Sequence, residues 1–279
     1  MEHKCSYFSK QRILISLIFG LFILTIVKYS IFIQENFSFK REKLFYLLPI
    51  ECFRLSGNSL RGFIADIFYI KGILAISDRI YFKKASEWIE WVQKNFEIAV
   101  SLDPYLVQGY FFAGIVVGRN KEGIKRGIDF LKKGLKLNPY EWRIPYWIGF
   151  NYYQLGEFLK AAYYYKKASI LPNSPKFLKS NVVMFYYQAQ KPELGIVYLE
   201  GLLKSVRDPA QLEWIKRKLE WLKKIVFLEE KVKEFKKLYQ RFPQSLEELV
   251  EKGLIKEIPK DTFGKGYYLD QKARIRSKF

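Results

Sequence analysis

Apolar positions are arranged along this chain in two ways. Residues 13–33, ILISLIFGLFILTIVKYSIFI, form a continuous apolar run with a single charge at Lys28. As a helix such a run spans about 30 Å, and Lys28 sits near enough to one end to snorkel toward headgroups. From residue 54 onward apolar positions return at helical spacing. Within 54–84, Phe63, Ile67, Ile70 and Leu74 follow a Ser-Gly-Asn start and predict a helix, with Asp66 the odd residue in its apolar stretch. Asp66 reads either as a cap or ion-pair partner or as a functional acid. After Asp208-Pro209, Leu212, Ile215, Leu219, Leu222 and Val226 mark a long charged amphipathic helix to about Tyr239. Ser245 with Glu248 predicts a capping box for a helix of about two turns ending at Gly253. The Gly-Lys-Gly and Tyr-Tyr-Leu-Asp-Gln-Lys-Ala-Arg-Ile-Arg runs that follow predict a small hairpin.

The first run is expected to be an uncleaved transmembrane anchor. It exceeds the about 7–15 apolar residues of a signal peptide, and no small-x-small cleavage site follows it. Lys4, Lys10 and Arg12 precede it, so the positive-inside tendency puts residues 1–12 in the cytoplasm and the rest outside, in a bacterium the periplasm. Lys40, Arg41 and Lys43 on the other flank weigh the opposite way. In this topology Cys5 and Cys52 lie on opposite sides of the membrane and cannot pair. The expected localisation is therefore the inner membrane, single-pass, with an extracytoplasmic soluble part.

Between residues 85 and 207 the chain repeats itself. Pro104, Pro139 and Pro172 close three helical stretches at spacings of 35 and 33 residues. A period near 34 with a closing proline is the mark of stacked helix-turn-helix units. In the third unit Gly149, Tyr152, Gly156, Ala161, Tyr165 and Ala168 stand at the small and aromatic positions of the tetratricopeptide repeat family, which this segment resembles. Gly149 and Ala161 let two helices approach closely, Tyr152 and Tyr165 fill the space between them, and Pro172 stops the second helix. The preceding unit is similar through Gly114, Gly127, Leu131, Gly134 and Pro139, an earlier half-unit through Phe96, Ala99 and Pro104, and a degenerate fourth through Gly195 and Leu199. Pro145 departs from the pattern, standing where the first helix usually carries an aromatic. An irregular bundle or coiled coil is the other reading of the periodicity.

The segment FPQSLEELVEKGLI…IPKDTFG.GYYLD is similar to the C-terminal region of type II secretion pseudopilins, with Thr262 where that family has proline. The N terminus lacks a pilin cleavage signature, so the likeness implies shared local structure rather than shared function. The expected fold class is all-α: a cytoplasmic tail at 1–12, an anchor at 13–33, a linker and leading helices at 34–84, tetratricopeptide-like repeats at 85–207, a capping helix at 208–240 and a C-terminal helix with hairpin at 241–279. Capping the solenoid is one role for the 208–240 helix; coiled-coil pairing through Leu212, Leu219 and Val226 is the other.

Composition narrows the chemistry. His3 is the only histidine, and Cys5 and Cys52 are the only cysteines, which removes Cys/His zinc sites, Ser-His-Asp triads and Cys-His pairs. There is no GxxxxGK[ST] loop and no GxGxxG fingerprint. Glu247 and Glu248 read as a solvated helix face. No catalytic residue, metal or cofactor is expected, and the chain is not expected to be an enzyme. The net charge of +20 raises nucleic acid as a partner, but the excess is spread from +1 in residues 44–101 to +6 in residues 102–172, with signs alternating along helices. Nucleic acid is therefore not expected, whereas anionic lipid or cell-wall polymer suits a diffuse basic surface.

The repeat resemblance implies that the first helix of each pair lines a concave groove. Its offsets place Phe111 and Ile115 from the second unit, Arg143, Tyr146, Phe150 and Tyr153 from the third, and Met184 and Tyr187 from the fourth on that face. Such a surface would hold an apolar helix or extended peptide, with Arg143 meeting a carboxylate or carbonyl. The alternative for these aromatics is core packing. Anchor, repeats and tail together resemble envelope proteins that accompany secretion or pilus-like machines, implying protein partners.

Overall fold

The computed structural model describes residues 58–77, 85–116, Gly118, 120–264 and 266–278, together with Thr25 and Lys28. The chain divides into two units, residues 1–61 and 62–279, and the second carries nearly everything described. The anchor and cytoplasmic tail expected from sequence, and both cysteines, lie outside the described residues apart from Thr25 and Lys28. Among the described residues no helix is long and apolar enough to cross a membrane.

Ten α-helices and one two-stranded sheet are described, so the second unit is predominantly helical. Helix α1, Asn58–Ser77, is followed by α2, Ala85–Leu102. The side of α1 that faces α2 is the one with Ala65, Phe68, Gly72 and Ala75, because a Cβ at Gly72 would come within 2.7 Å of the Phe96 ring. Trp88 Nε1 donates to the Ala75 carbonyl at 2.6 Å and pins the pair. The Phe63, Ile67, Ile70, Leu74 stripe marked by its spacing points the other way, with Phe63 64% and Leu74 57% exposed. Asp66 is also exposed. A helix with large apolar residues on two sides gives no sequence signal for which of them is core, and the small residues decide it here.

Helix α3, Val107–Phe111, continues into one π-helical turn, Phe112–Val116, and pairs with α4, Lys121–Leu137. Asn120 caps α4 by accepting from the Gly123 N–H at 2.8 Å. Helices α5, Arg143–Gln154, and α6, Phe158–Ser169, form the next pair, and α7, Phe177–Gln188, with α8, Pro192–Leu203, a further one. Each helix from α2 onward packs against its successor. Gly149 faces the Tyr165 ring, where a Cβ would lie 2.5 Å away, and Tyr152 stacks on Tyr164 with centroids 5.5 Å apart. Pro145 sits in the first turn of α5, where no earlier helical carbonyl loses a donor, so the helix starts at Arg143 despite it. The proline-marked ends of successive pairs are joined: Asn138 Nδ2 donates to the Pro104 carbonyl, 34 residues back, at 2.9 Å.

Helix α9, Pro209–Tyr239, is capped by Asp208, carries Pro209 in its first turn and stops at Gln240 in the left-handed region, φ 52°. Its buried seam is Ile215, Leu219, Leu222, Ile225, Leu228, Val232 and Phe235 with Trp221. Leu219 is thus spent inside this unit, while Leu212 and Val226 are only half-buried. The heptad-spaced set therefore has no common free side for a second helix.

The tail forms α10, Glu247–Glu251, and the antiparallel pair β1, Tyr267–Leu269, and β2, Ile275–Ser277, in the register Tyr268↔Arg276. The expected Ser245–Glu248 capping box is absent. α10 begins after Leu246 with no side-chain cap, and Glu248 instead accepts from the Gln244 N–H at 2.8 Å while pairing with Arg241. Gly253, at φ 71°, follows the end of α10, as its position predicts. The tail is held to α9 through Phe263, whose ring meets Trp221, and through Lys224, which donates to the Lys260 carbonyl at 3.0 Å.

Candidate partner-binding face

Helices α5, α7 and α9 bring the most conspicuous aromatic surface together. Tyr146, in the first turn of α5, meets Tyr165 of α6 at 5.3 Å and Phe177, the first residue of α7, at 6.1 Å. Burial among these rings raises the pKa of the Tyr165 hydroxyl, with the Tyr146 hydroxyl beside it. Phe177 is half exposed and forms one wall of a cavity of 340 Å³ between the start of α7, the end of α8 and the first turns of α9. The remaining apolar lining is Leu202, Val206, Ala210, Trp214 and Ile215, with Ser180 and Gln211 as polar points and Lys176, Lys179 and Asp208 at the rim. The cavity exists because α9 begins six residues after α8 ends, with Asp208 capping it and Pro209 preset for its first turn. The volume lies within the range of small-ligand and side-chain pockets.

The rim charges are partly engaged. Lys176 Nζ is 3.7 Å from Asp208 Oδ2, and the Asp208 carboxyl is held below its usual range by the Gln211 amide, the Ala210 N–H and then Lys176. Such an exposed pair is weak and leaves the rim open to a competing partner group.

The residues assigned to the groove from sequence fall into distinct situations. Tyr146, Phe150 and Tyr153 share one side of α5, and Tyr153, 43% exposed, packs beside Phe185 of α7 at 5.4 Å. Met184 of α7 is half-buried. Phe111 and Ile115 are half-buried at α3 and its π turn, with Phe111 against Trp147 at 4.9 Å. Arg143 is not free: its Nε meets Glu141 Oε1 at 2.7 Å and its second terminal nitrogen meets Oε2 at 2.8 Å, a bidentate fork that lowers the Glu141 carboxyl. Tyr187 is buried, and its hydroxyl donates to the Ile275 carbonyl and accepts from the Ser277 N–H, both at 3.3 Å. It anchors the tail hairpin and offers nothing to a groove.

Phe177, Val206 and Trp214, which build the cavity, were not marked by the repeat offsets. A phenylalanine opening a helix between two lysines, Lys176-Phe177-Leu178-Lys179, was the available signal. Lys218 is buried as well; desolvation lowers its pKa, opposed by Asp261, and its ammonium lies 3.9 Å from the Phe263 ring centre and 4.8 Å from that of Trp221. It sits on the tail side of α9, against Phe263.

A second, more open cleft lies between the α5–α6 and α7–α8 turns, with Glu157, Lys160, Gln188, Gln190 and Arg274 beside Phe158 and Leu159, and is mixed in character. Among the described residues no cluster of His, Cys, Asp and Glu could hold a metal ion. The α7–α9 cavity is apolar with a cationic rim and suits capture of an apolar side chain beside an acidic one. No protein-family model matches the chain, and no curated protein matches it in sequence.

Proposed function

We propose that the protein is a non-catalytic, membrane-anchored adaptor whose tetratricopeptide-like helix pairs hold a partner polypeptide along α5, α7 and α9, in a bacterial envelope assembly of the secretion or pilus-like kind. The observation that carries this reading is the apolar cavity at α7–α9, continuous through Phe177 with the Tyr146 side of α5. Support for the repeat reading comes from the successive packed pairs and from Gly149 set against Tyr165. The anchor reading rests on the apolar run 13–33.

Quantitative crosslinking of the full-length protein in its own membranes tests the proposal. Phe177→Ala combined with Trp214→Ala should reduce crosslinking to a discrete set of polypeptides by about a hundredfold or more, since each buried aromatic contributes about 1.5–3 kcal/mol. Helical content should be unchanged. Undiminished crosslinking in a folded variant would place the partner elsewhere.

The net charge of +20 favours a second reading, a basic surface for anionic lipid or cell-wall polymer. Salt separates the two: apolar capture persists at moderate ionic strength, whereas polyanion binding falls steeply.

A further inference from the structure

Helix α1 carries large apolar residues on two sides, and only one of them is covered. Ala65, Phe68, Gly72 and Ala75 are buried, while Phe63, Ile70 and Leu74 stand 64%, 54% and 57% exposed, with Ile67 in line between them. Positions 63, 67, 70 and 74 form one continuous strip along the helix. Water-facing helices of soluble proteins carry polar residues there.

We propose that α1 lies in the interfacial plane of an anionic membrane, with Phe63, Ile67, Ile70 and Leu74 turned into the boundary between headgroups and acyl chains. The occupant of the strip is then lipid. Three observations favour it over a protein. The strip is one helix wide, and side chains about half exposed offer well under the about 800 Å² per partner that a stable protein interface buries; an interfacial helix needs only one such face. Residues 61–84 carry five bases and two acids, an excess that suits anionic headgroups. Finally, the 24 residues 34–57 between the apolar run and α1 span at most about 80 Å, so lipid is always within tethered reach and modest affinity suffices.

The proposal rests on the anchor reading of residues 13–33, and the experiment separates the two. Full-length protein with Cys5→Ser and Cys52→Ser would carry single nitroxide labels, in turn, at Phe63→Cys, Ile67→Cys, Ile70→Cys and Leu74→Cys, with Tyr105→Cys, 76% exposed, as the water-facing control and Ile23→Cys as the anchor reporter. It would be reconstituted into vesicles of phosphatidylethanolamine and phosphatidylglycerol. The expected result is severalfold higher accessibility to oxygen than to a water-soluble nickel chelate at 63, 67, 70 and 74, reversed at 105. Nickel access along the strip, with Ile23 shielded, overturns the α1 proposal alone. Low access to both reagents, or spin–spin broadening between copies, overturns it in favour of a protein cover. Nickel access at Ile23 overturns the anchor and the tether argument with it.

Discussion

Gly114, Gly127 and Asn151 show how single residues fix the spacing of the helix pairs. The π turn after α3 turns the Gly114 carbonyl toward α4 and α5, where Asn151 Nδ2 donates to it at 2.8 Å. Asn151 is fully buried, so this bond satisfies a group that would be costly alone. A Cβ at Gly127 would lie 2.2 Å from that carbonyl oxygen, and backbone cannot step aside as a flexible side chain can. Gly127→Ala should therefore destabilise the protein by about 1–3 kcal/mol in urea unfolding. Gly201→Ala, in a helix interior with nothing within 4 Å, should instead stabilise it by about 0.5–1 kcal/mol. The repeat pattern marked Gly127 as small, but not why, because a π turn and its carbonyl leave no mark in residue spacing. A pH effect also belongs at this scale. The Arg241 guanidinium and then the Gln244 N–H lower the Glu248 carboxyl from 4.5 to about 2. A depressed carboxyl stabilises the fold above its unfolded value and loses that contribution as pH falls through the folded one. Glu248→Gln should thus flatten the fall of melting temperature between pH 4.5 and about 2, and an unchanged acid limb would contradict the pair's contribution.

Among the elements, the ones with a single apolar side were the most legible. α4 shows a clean stripe ending before Asn138, and α9 runs from Pro209 to Tyr239 as its spacing predicts. α1 was legible as a helix but not in its sidedness, since large apolar residues occupy both sides and the small ones mark the packed side. The tail hairpin could be located from its turn residues, yet its docking site could not, because Tyr187 lies 88 residues from its carbonyl acceptor Ile275. That contact defines the element-scale prediction. Tyr187→Phe keeps the buried ring and removes both hydroxyl bonds, so it should cost about 1 kcal/mol and accelerate amide exchange at Ser277 more than in α5 or α6. Equal protection at Ser277 in both proteins would mean that the hairpin is held by its apolar contacts alone.

For the whole second unit, the sequence foretold helices in series, the break at each proline and the tail that follows α9. It did not foretell the cavity, which arises where the short α8–α9 connection brings Phe177 and Trp214, from elements about 30 residues apart, to the lining of one space. Of the predicted groove, Tyr146, Phe150 and Tyr153 share the α5 side, whereas Arg143 is committed to Glu141 and Tyr187 to the hairpin. We propose that the α5–α7–α9 face holds a polypeptide. Its most direct test is a photo-crosslinking residue placed at Phe177 in the full-length protein in its own membranes, compared with one at Tyr163, which is 59% exposed on α6. Position 177 should give discrete polypeptide adducts that Trp214→Ala reduces at least tenfold, and position 163 few. The same adducts from both positions, or adducts to lipid and wall polymer alone, would contradict it.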